Sequence, residues 1–439
     1  MNNRHESARR IAITGAGVVS PIGIGAEAFW KNLAAGKSGV GPLTSMSYSA
    51  APRNVAAEIR EFTESEARKS WLKDLRKSIK VMCREIQLGV ASASLVLENA
   101  GIDLEKIDHS RIGVEFGANL MLSPPDVLKD ACWICCDESS TGRQFQYERW
   151  GTTGLPSMEP LWLLRYLPNM PACHIGIAAD ARGPNNSITL AEASGNLVIG
   201  EASRIIARGS ADVMIAGTTG TRVHPVKALQ AALWDELAES DGPPETWCRP
   251  FDLHRTGQVL GEGACSFLLE EESHARGRGA RILGFVLGSG SSCVIRGDGT
   301  PDRPKALVNA MRAALNDAGI SAKDVGHINA HGLASPLADR EEYLAIKEVF
   351  GPLAEKVPVT ALKSYLGNSG SGCGTLELAG SLLALGQGIV PPTLNYQTVD
   401  PECPLNVVHG GPLPVSNKTV LKISVTSIGQ ASAVVARGE

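Results

Sequence analysis

The chain has 439 residues, with 42 Lys and Arg against 46 Asp and Glu, for a net charge of −4. That balance argues against a nucleic-acid binder and against a polybasic membrane-surface protein. Aromatics are 5% of residues while glycines number 47, which suits tightly packed α/β layers, and no apolar run reaches the roughly 18 residues of a membrane-spanning helix.

The length is enough to bury large cores and is long for one domain. The polar start, MNNRHESARR, runs directly into a strand pattern, so no signal peptide and a cytoplasmic location are expected. There, most of the ten cysteines are expected to be buried thiols, not disulfides.

Residues 10–19 (RIAITGAGVV) read as a buried strand ending in a glycine turn. Their GxG lacks the third glycine and the acidic residue of a dinucleotide fingerprint. Residues 29–35 predict a helix. Residues 64–100 predict long helices and carry Arg68, Lys69, Lys73, Arg76, Lys77, Lys80 and Arg84. Such a run is either a solvated helix face or a docking patch for an acidic partner. Residues 112–118 (IGVEFGA) read as a strand.

Residues 121–176 hold Trp133, Trp150 and Trp162, and Cys132, Cys135, Cys136, Cys173 and His174. A zinc site would want a second CxxC pair, so no metal is expected and an apolar helical cap fits better.

The chemistry concentrates in residues 185–209, NNSITLAEASGNLVIGEASRIIARG. A β-branched run at 187–190 meets a small-residue turn at 191–195, and a helical pattern follows through Leu197, Val198, Ala202, Ile205 and Ile206. A strand, an elbow and a helix point one side chain above a helix N-terminus, where unpaired N–H groups and the dipole favour an anion. In an acyl-transfer enzyme that place suits a nucleophile. Here Glu192 occupies it.

Residues 211–217 (ADVMIAG) read as a buried strand. The segment 249–271, RPFDLHRTGQVLGEGACSFLLEE, reads as a loop and a strand that shape the floor of an active site. Residues 277–280 form a plausible boundary, dividing the chain into 1–276 and 277–439. The second half repeats the alternation: strand 281–290, helix 304–318, strand 326–330, helix 336–350, strand 357–361, helix 374–387, and strands near 406 and at 420–436. His331 stands at a strand end before a helix start, a position suited to a general acid/base or an oxyanion donor, though a strand-end histidine alone is more often structural.

These motifs carry a resemblance. The TGAGVVSPIG opening, the elbow context (A-x-A-S-G…IGEA…ADVMIAG), RPFD…GEGA, NAHG and ALKSYLGNSGSGCGTLELAGS are similar to the β-ketoacyl-acyl-carrier-protein synthases, condensing enzymes of the thiolase superfamily. The resemblance covers essentially the whole chain and is loosest at 121–176, which in that family lines the acyl pocket and part of the dimer contact. It implies a thiolase-like five-layer α/β/α/β/α sandwich of two pseudo-symmetric halves. It also implies that strand 187–190 pairs across a dimer.

In that family the elbow residue is a cysteine, and Glu192 stands in its place. His331 matches the first catalytic histidine, and Lys363 and Glu377 match the family's Lys and Glu. Asn368 stands where this branch has its second histidine, while related initiating synthases use Cys-His-Asn. Leu333 replaces a threonine that helps hold the pantetheine arm, and Ser335 keeps the second hydroxyl. Gly429 and Gln430 lie in the loop 426–434 that gates the acyl pocket. There Gln430 replaces the gating Phe and Ala431 and Ser432 replace glycines, which stiffens the loop. Arg68, Lys69, Arg76 and Lys77 fall where synthases of this kind dock their carrier protein. Cys373 lies in a Gly-rich turn beyond the elbow and is not expected to replace the nucleophile.

A thiolate accepts an acyl group from a thioester readily, whereas a carboxylate would give a far less stable mixed anhydride. The expectation is a synthase homologue without ordinary cysteine-dependent elongation, with the Glu192 carboxylate facing a protonated His331. It would act as a chain-length-factor-like partner subunit, in a homodimer or in a heterodimer with an active ketosynthase. The alternatives are a divergent acyltransferase or decarboxylase working on acyl-carrier-protein without an acyl-enzyme, and a protein that only binds carrier protein or acyl chains. No cofactor is expected beyond the phosphopantetheine that the acyl carrier protein brings.

Overall fold

A computed structural model describes residues 9–46, 54–139 and 142–439. Most of the polar N-terminal segment on which the signal-peptide reading rests (residues 1–8) lies outside the described residues.

Among the described residues, five strands of each half form the continuous path of an eleven-stranded sheet. They are β1 (Ile11–Ser20), β2 (Ile112–Ala118), β3 (Asn185–Ile188), β4 (Val213–Thr221) and β5 (Glu262–Glu271), then β6 (Gly284–Cys293), β7 (His327–Asn329), β8 (Val359–Thr360), β9 (Thr419–Val425) and β10 (Gln430–Gly438). The neighbour order is β1-β5-β4-β2-β3 in the first half and β6-β10-β9-β7-β8 in the second, the same order counted from each half's start. In both, the first two pairings are antiparallel and the next two parallel. The halves meet where β1 pairs antiparallel with β6, Ile11 opposite Val286 and Ile13 opposite Gly284.

Five layers follow from which faces the helices cover. Helix α1 (Arg84–Ala100) packs outside β1, β4 and β5. Helices α2 (Ser194–Ala207) and α5 (Cys373–Leu385) lie in the middle and touch strands of both halves. Helix α3 (Arg303–Asp317) covers β6, β9 and β10, and α4 (Pro336–Phe350) packs on α3. Helix α5 is buried almost all round, as a doubly covered element requires, whereas α2 is buried on most of its surface and leaves Arg204 exposed. Val198, Ile205, Ile206, Leu376, Leu378 and Leu382 are buried there, each contributing about 1.5–3 kcal/mol.

Two close approaches explain glycines that sequence alone reads as turns. β1 does not end at its GxG but runs on to Ser20. A Cβ on Gly17 would sit 2.0 Å from the Ser92 carbonyl oxygen, so glycine lets α1 lie directly on the strand. In the middle layer, a Cβ on Gly195 would lie 2.7 Å from Gly374 Cα. The first turns of α2 and α5 therefore touch backbone to backbone, which fixes the elbow against the second half.

The predicted elements mostly recur with shifted ends. The elbow strand spans Asn185–Ile188 and forms an edge of its sheet. Near 406 there is only an isolated bridge between Val359 and Val407. The long-helix reading of 64–100 holds only for Arg84–Ala100. Upstream, the chain breaks into short turns because Phe62 stacks on Trp71 at 5.1 Å and Arg84 is drawn inward. Its guanidinium meets the Glu262 carboxylate at 2.6 and 2.7 Å and caps the Phe62 carbonyl.

The region 121–176 is only partly a helical cap. It contains the helix Pro125–Ile134, a hairpin of Cys136–Ser139 with Gly142–Phe145, and the helix Met170–Ala178. Trp133 points outward under the Arg143 guanidinium, 4.3 Å from its ring centre. Among the described residues no group of three or more His, Cys, Asp or Glu is placed to hold a metal, and the cysteines are free thiols. No helix among them is long and apolar enough to cross a membrane.

Candidate active site

The elbow is a strained turn held from two sides. Ala191 has φ 43°, a left-handed conformation that costs a non-glycine residue about 1–3 kcal/mol. One tight turn, Ala191–Ala193, leads into α2. Ser194 Oγ accepts from the Leu190 amide at 2.9 Å, and Ser432 Oγ donates to the Ala193 carbonyl at 2.9 Å. Glu192, between these ties, lines a cavity of about 530 Å³ together with Arg222, Gln258, His331, Leu333 and Ser335.

Glu192 is not paired with His331. Its Oε1 accepts from Asn368 Nδ2 at 3.1 Å and meets the Arg222 guanidinium at 3.7 Å. Asn368 is fully committed. Its amide nitrogen donates one hydrogen to Glu192 and the other to Gln258 Oε1 at 2.6 Å, while its Oδ1 accepts from the Gly370 amide at 2.9 Å. Gln258 Oε1 also accepts from Arg222 at 2.9 Å, and the other end of the guanidinium is ion-paired with Asp235. Arg222, Asp235 and Gln258 were not singled out from sequence. They lie 13 and 36 residues apart, a separation that leaves no local spacing signal.

The opposite wall is deeper. Lys363 Nζ donates to the His331 carbonyl at 2.7 Å, lies 3.3 Å from His331 Nδ1 and pairs with Glu377 at 2.8 Å. Lys422, also missed, pairs with the other Glu377 oxygen at 2.5 Å. A lone lysine inside the apolar run VLKISV of β9 was the available signal. Burial alone would pull both ammonium groups down. At Lys363 the Glu377 carboxylate outweighs burial and raises it, whereas Lys422, next to Lys363, stays lowered.

Burial first, then Lys363 and Lys422, push His331 well below its ordinary range, so the ring is neutral near pH 7. With Lys363 facing Nδ1, the remaining proton is assigned to Nε2, which makes the ring a hydrogen-bond donor. Glu342 on α4 holds the loop by accepting from the His331 and Gly332 amides at 2.6 and 2.8 Å. Asp339 does the same for Leu333 and Phe251 at 2.9 and 2.8 Å. Burial pushes Glu342 up to about 7 and Asp339 up to about 6.

The other predicted residues separate. Ser335 caps α4, accepting from the Ala338 amide, and donates to Glu236. Gly429 (φ 82°) and Gln430 close a tight turn onto β10. The cavity wall here is made instead by Val425 at the end of β9 and by Thr426 and Ser427. Cys373, contrary to its sequence reading, is the first residue of α5, at a helix N-terminus. Burial nevertheless raises its thiol, and it does not line the cavity. Arg68 and Lys69 are exposed and ion-paired with Glu64 and Glu66. Arg76 and Lys77 are exposed beside them, with Arg76 donating to the Arg68 carbonyl at 3.0 Å.

Comparison with known proteins matches this architecture. The model of the beta-ketoacyl synthase N-terminal domain matches residues 8–275, and that of the C-terminal domain matches residues 283–397. The chain is 35% identical over 417 residues to a 3-oxoacyl-[acyl-carrier-protein] synthase 2 of Coxiella burnetii, covering 95% of each chain. Among solved structures, it is similar to a type II polyketide ketosynthase bound to the hexaketide and in complex with its acyl-carrier protein. The TM-score is 0.82 at 26% identity, over 99% of this chain and 100% of that one. The ishigamide ketosynthase/chain length factor is similar with the same TM-score of 0.82, identity of 26% and coverage of 99% and 100%. The chain belongs to the beta-ketoacyl synthase family of fatty acid and polyketide biosynthesis.

Proposed function

We propose that this chain is a synthase homologue that does not elongate through an acyl-enzyme and serves as a chain-length-factor-like partner of an active ketosynthase. One observation carries the reading: Glu192 and Asn368 satisfy each other. The elbow side chain is a carboxylate held by Asn368 and Arg222. Both amide hydrogens of Asn368 are used, which leaves none for a substrate oxygen. A synthase needs a free nucleophile and an oxyanion donor at these two places. In this reading Glu192 replaces the nucleophilic cysteine, the edge strand Asn185–Ile188 pairs across the dimer, and the acyl carrier protein is the partner that docks. The similarity to a ketosynthase/chain length factor supports it.

The test is co-expression with an active ketosynthase. A stable heterodimer whose product length changes when cavity residues of this chain are altered supports the reading. Condensation product from this chain alone contradicts it.

A second reading rests on the donor assigned to His331 Nε2. Malonyl-carrier protein would lose carbon dioxide, the enolate oxygen would accept from His331, and a proton from water would give the acetyl thioester. Carbon dioxide release abolished by His331→Ala supports this reading, and its absence from wild type removes it.

A further inference from the structure

We propose that Arg222 and Asn368 form a seat for a small carboxylate and that Glu192 is its built-in occupant. The inference deepens the reading of Glu192 as a non-nucleophile and rests on it. The seat brings two groups of different chemistry to one oxygen, an amide nitrogen that donates at 3.1 Å and a guanidinium at ion-pair range, 3.7 Å. Both are fixed from behind by a single acceptor, Gln258 Oε1, at 2.9 and 2.6 Å. Asp235 anchors the far side of the guanidinium. None of these three supports needs Glu192 to stay in place. Gln258 is buried and Asp235 is ion-paired behind the guanidinium, so the seat keeps its orientation although it borders the cavity. An amide hydrogen bond to a carboxylate is stronger than a neutral one, and the guanidinium adds a favourable charge at ion-pair range.

The consequence concerns which ligands the cavity accepts. With Glu192 in the seat, a carboxylate entering the 530 Å³ cavity meets an anion already holding both groups. Uncharged acyl groups meet no such conflict. Removing the Glu192 side chain beyond Cβ leaves a gap of the size of a short carboxylic acid, with both groups still facing it. The seat then takes a free carboxylate in place of the tethered one.

The test uses the full-length protein and propionate alone, with ionic strength held constant by chloride. Binding is measured by calorimetry on wild type, Glu192→Ala and Glu192→Ala/Arg222→Gln. Glu192→Ala is expected to bind propionate at least about tenfold more tightly than wild type, because a charge-assisted pair is regained. The Arg222→Gln change is expected to remove that gain. Equal binding by wild type and Glu192→Ala, or a gain that survives Arg222→Gln, overturns the proposal. Glu192→Ser, which keeps a polar side chain at the elbow, carries the same expectation if Glu192→Ala does not fold. Propionate binding involves no carrier protein and no turnover. Condensation by wild type would thus remove the non-elongating reading while this measurement still judged the seat.

Discussion

On one wall of the cavity, the side chains of Glu192, Arg222 and Asp235 are 13%, 18% and 19% exposed. On the other, Lys363, Glu377 and Lys422 are at most 1% exposed. Neither wall matches its charges one to one: a single guanidinium faces two carboxylates on the shallow wall, and two lysines share one carboxylate on the deep wall. The shallow wall touches the cavity, so its charges keep some access to water and its ion pairs need not be complete. The deep wall has no such access. Two lysines share one carboxylate, and that arrangement is tolerable only while every member remains. Depth therefore separates what can change from what cannot. The shallow wall is where function can drift, and the deep wall holds His331 neutral and the second half together.

The sharpest way to break this contrast is Glu377→Gln. It leaves two buried ammonium groups without their anion, so a loss of about 3–5 kcal/mol in denaturant unfolding is expected, enough to prevent folding in a marginal background. Arg222→Gln on the shallow wall should cost only about 1–2 kcal/mol, since water can reach Asp235 and Glu192. Equal costs for the two variants would remove the distinction by depth.

Glu115 on β2 sharpens it from a third place, since it is buried without a cation among its partners. Asn186 donates to one of its oxygens at 3.1 Å, and the other has no hydrogen-bond partner among the described residues. Burial, and then Glu201, push it from 4.5 up to about 7. The folded state thus keeps its proton where the unfolded chain releases it, and stability falls as pH rises from 4.5 to 7. Glu115→Gln is expected to melt near the wild-type temperature at pH 4.5 and above it at pH 8, the gap levelling off past pH 7. The smallest effect belongs to Arg68→Ala. Its pair with Glu64 is 48% and 59% exposed, so stability should move by no more than about 0.5 kcal/mol.

How much of this was legible in the sequence varies with the range of the interaction. Strand 112–118 and helix 336–350 were read with their observed ends, because periodicity and flanking turns are local. Residues 64–82 misled, since their basic run looks helical while the fold is set by Trp71 on Phe62 and Arg84 on Glu262. At the site, Glu192, His331, Lys363 and Asn368 stood in motifs. Arg222 did not, because its meaning comes from three partners on separate segments. The same distance effect hid the pairing of Glu192. A protonated His331 was the expected partner, but three-dimensional packing gave the carboxylate to Arg222 and Asn368. Cys373 was misplaced by one structural step, read as a turn residue when it opens α5.

The most direct measurement is intact-protein mass spectrometry of wild type and Glu192→Cys after mixing with acyl-carrier protein, followed by malonyl-carrier protein. The account predicts no acyl adduct and no condensation product from wild type, and an acyl adduct on Glu192→Cys, whose thiol would stand over the α2 N-terminus beside Arg222. An acyl adduct or a condensation product from wild type would contradict it.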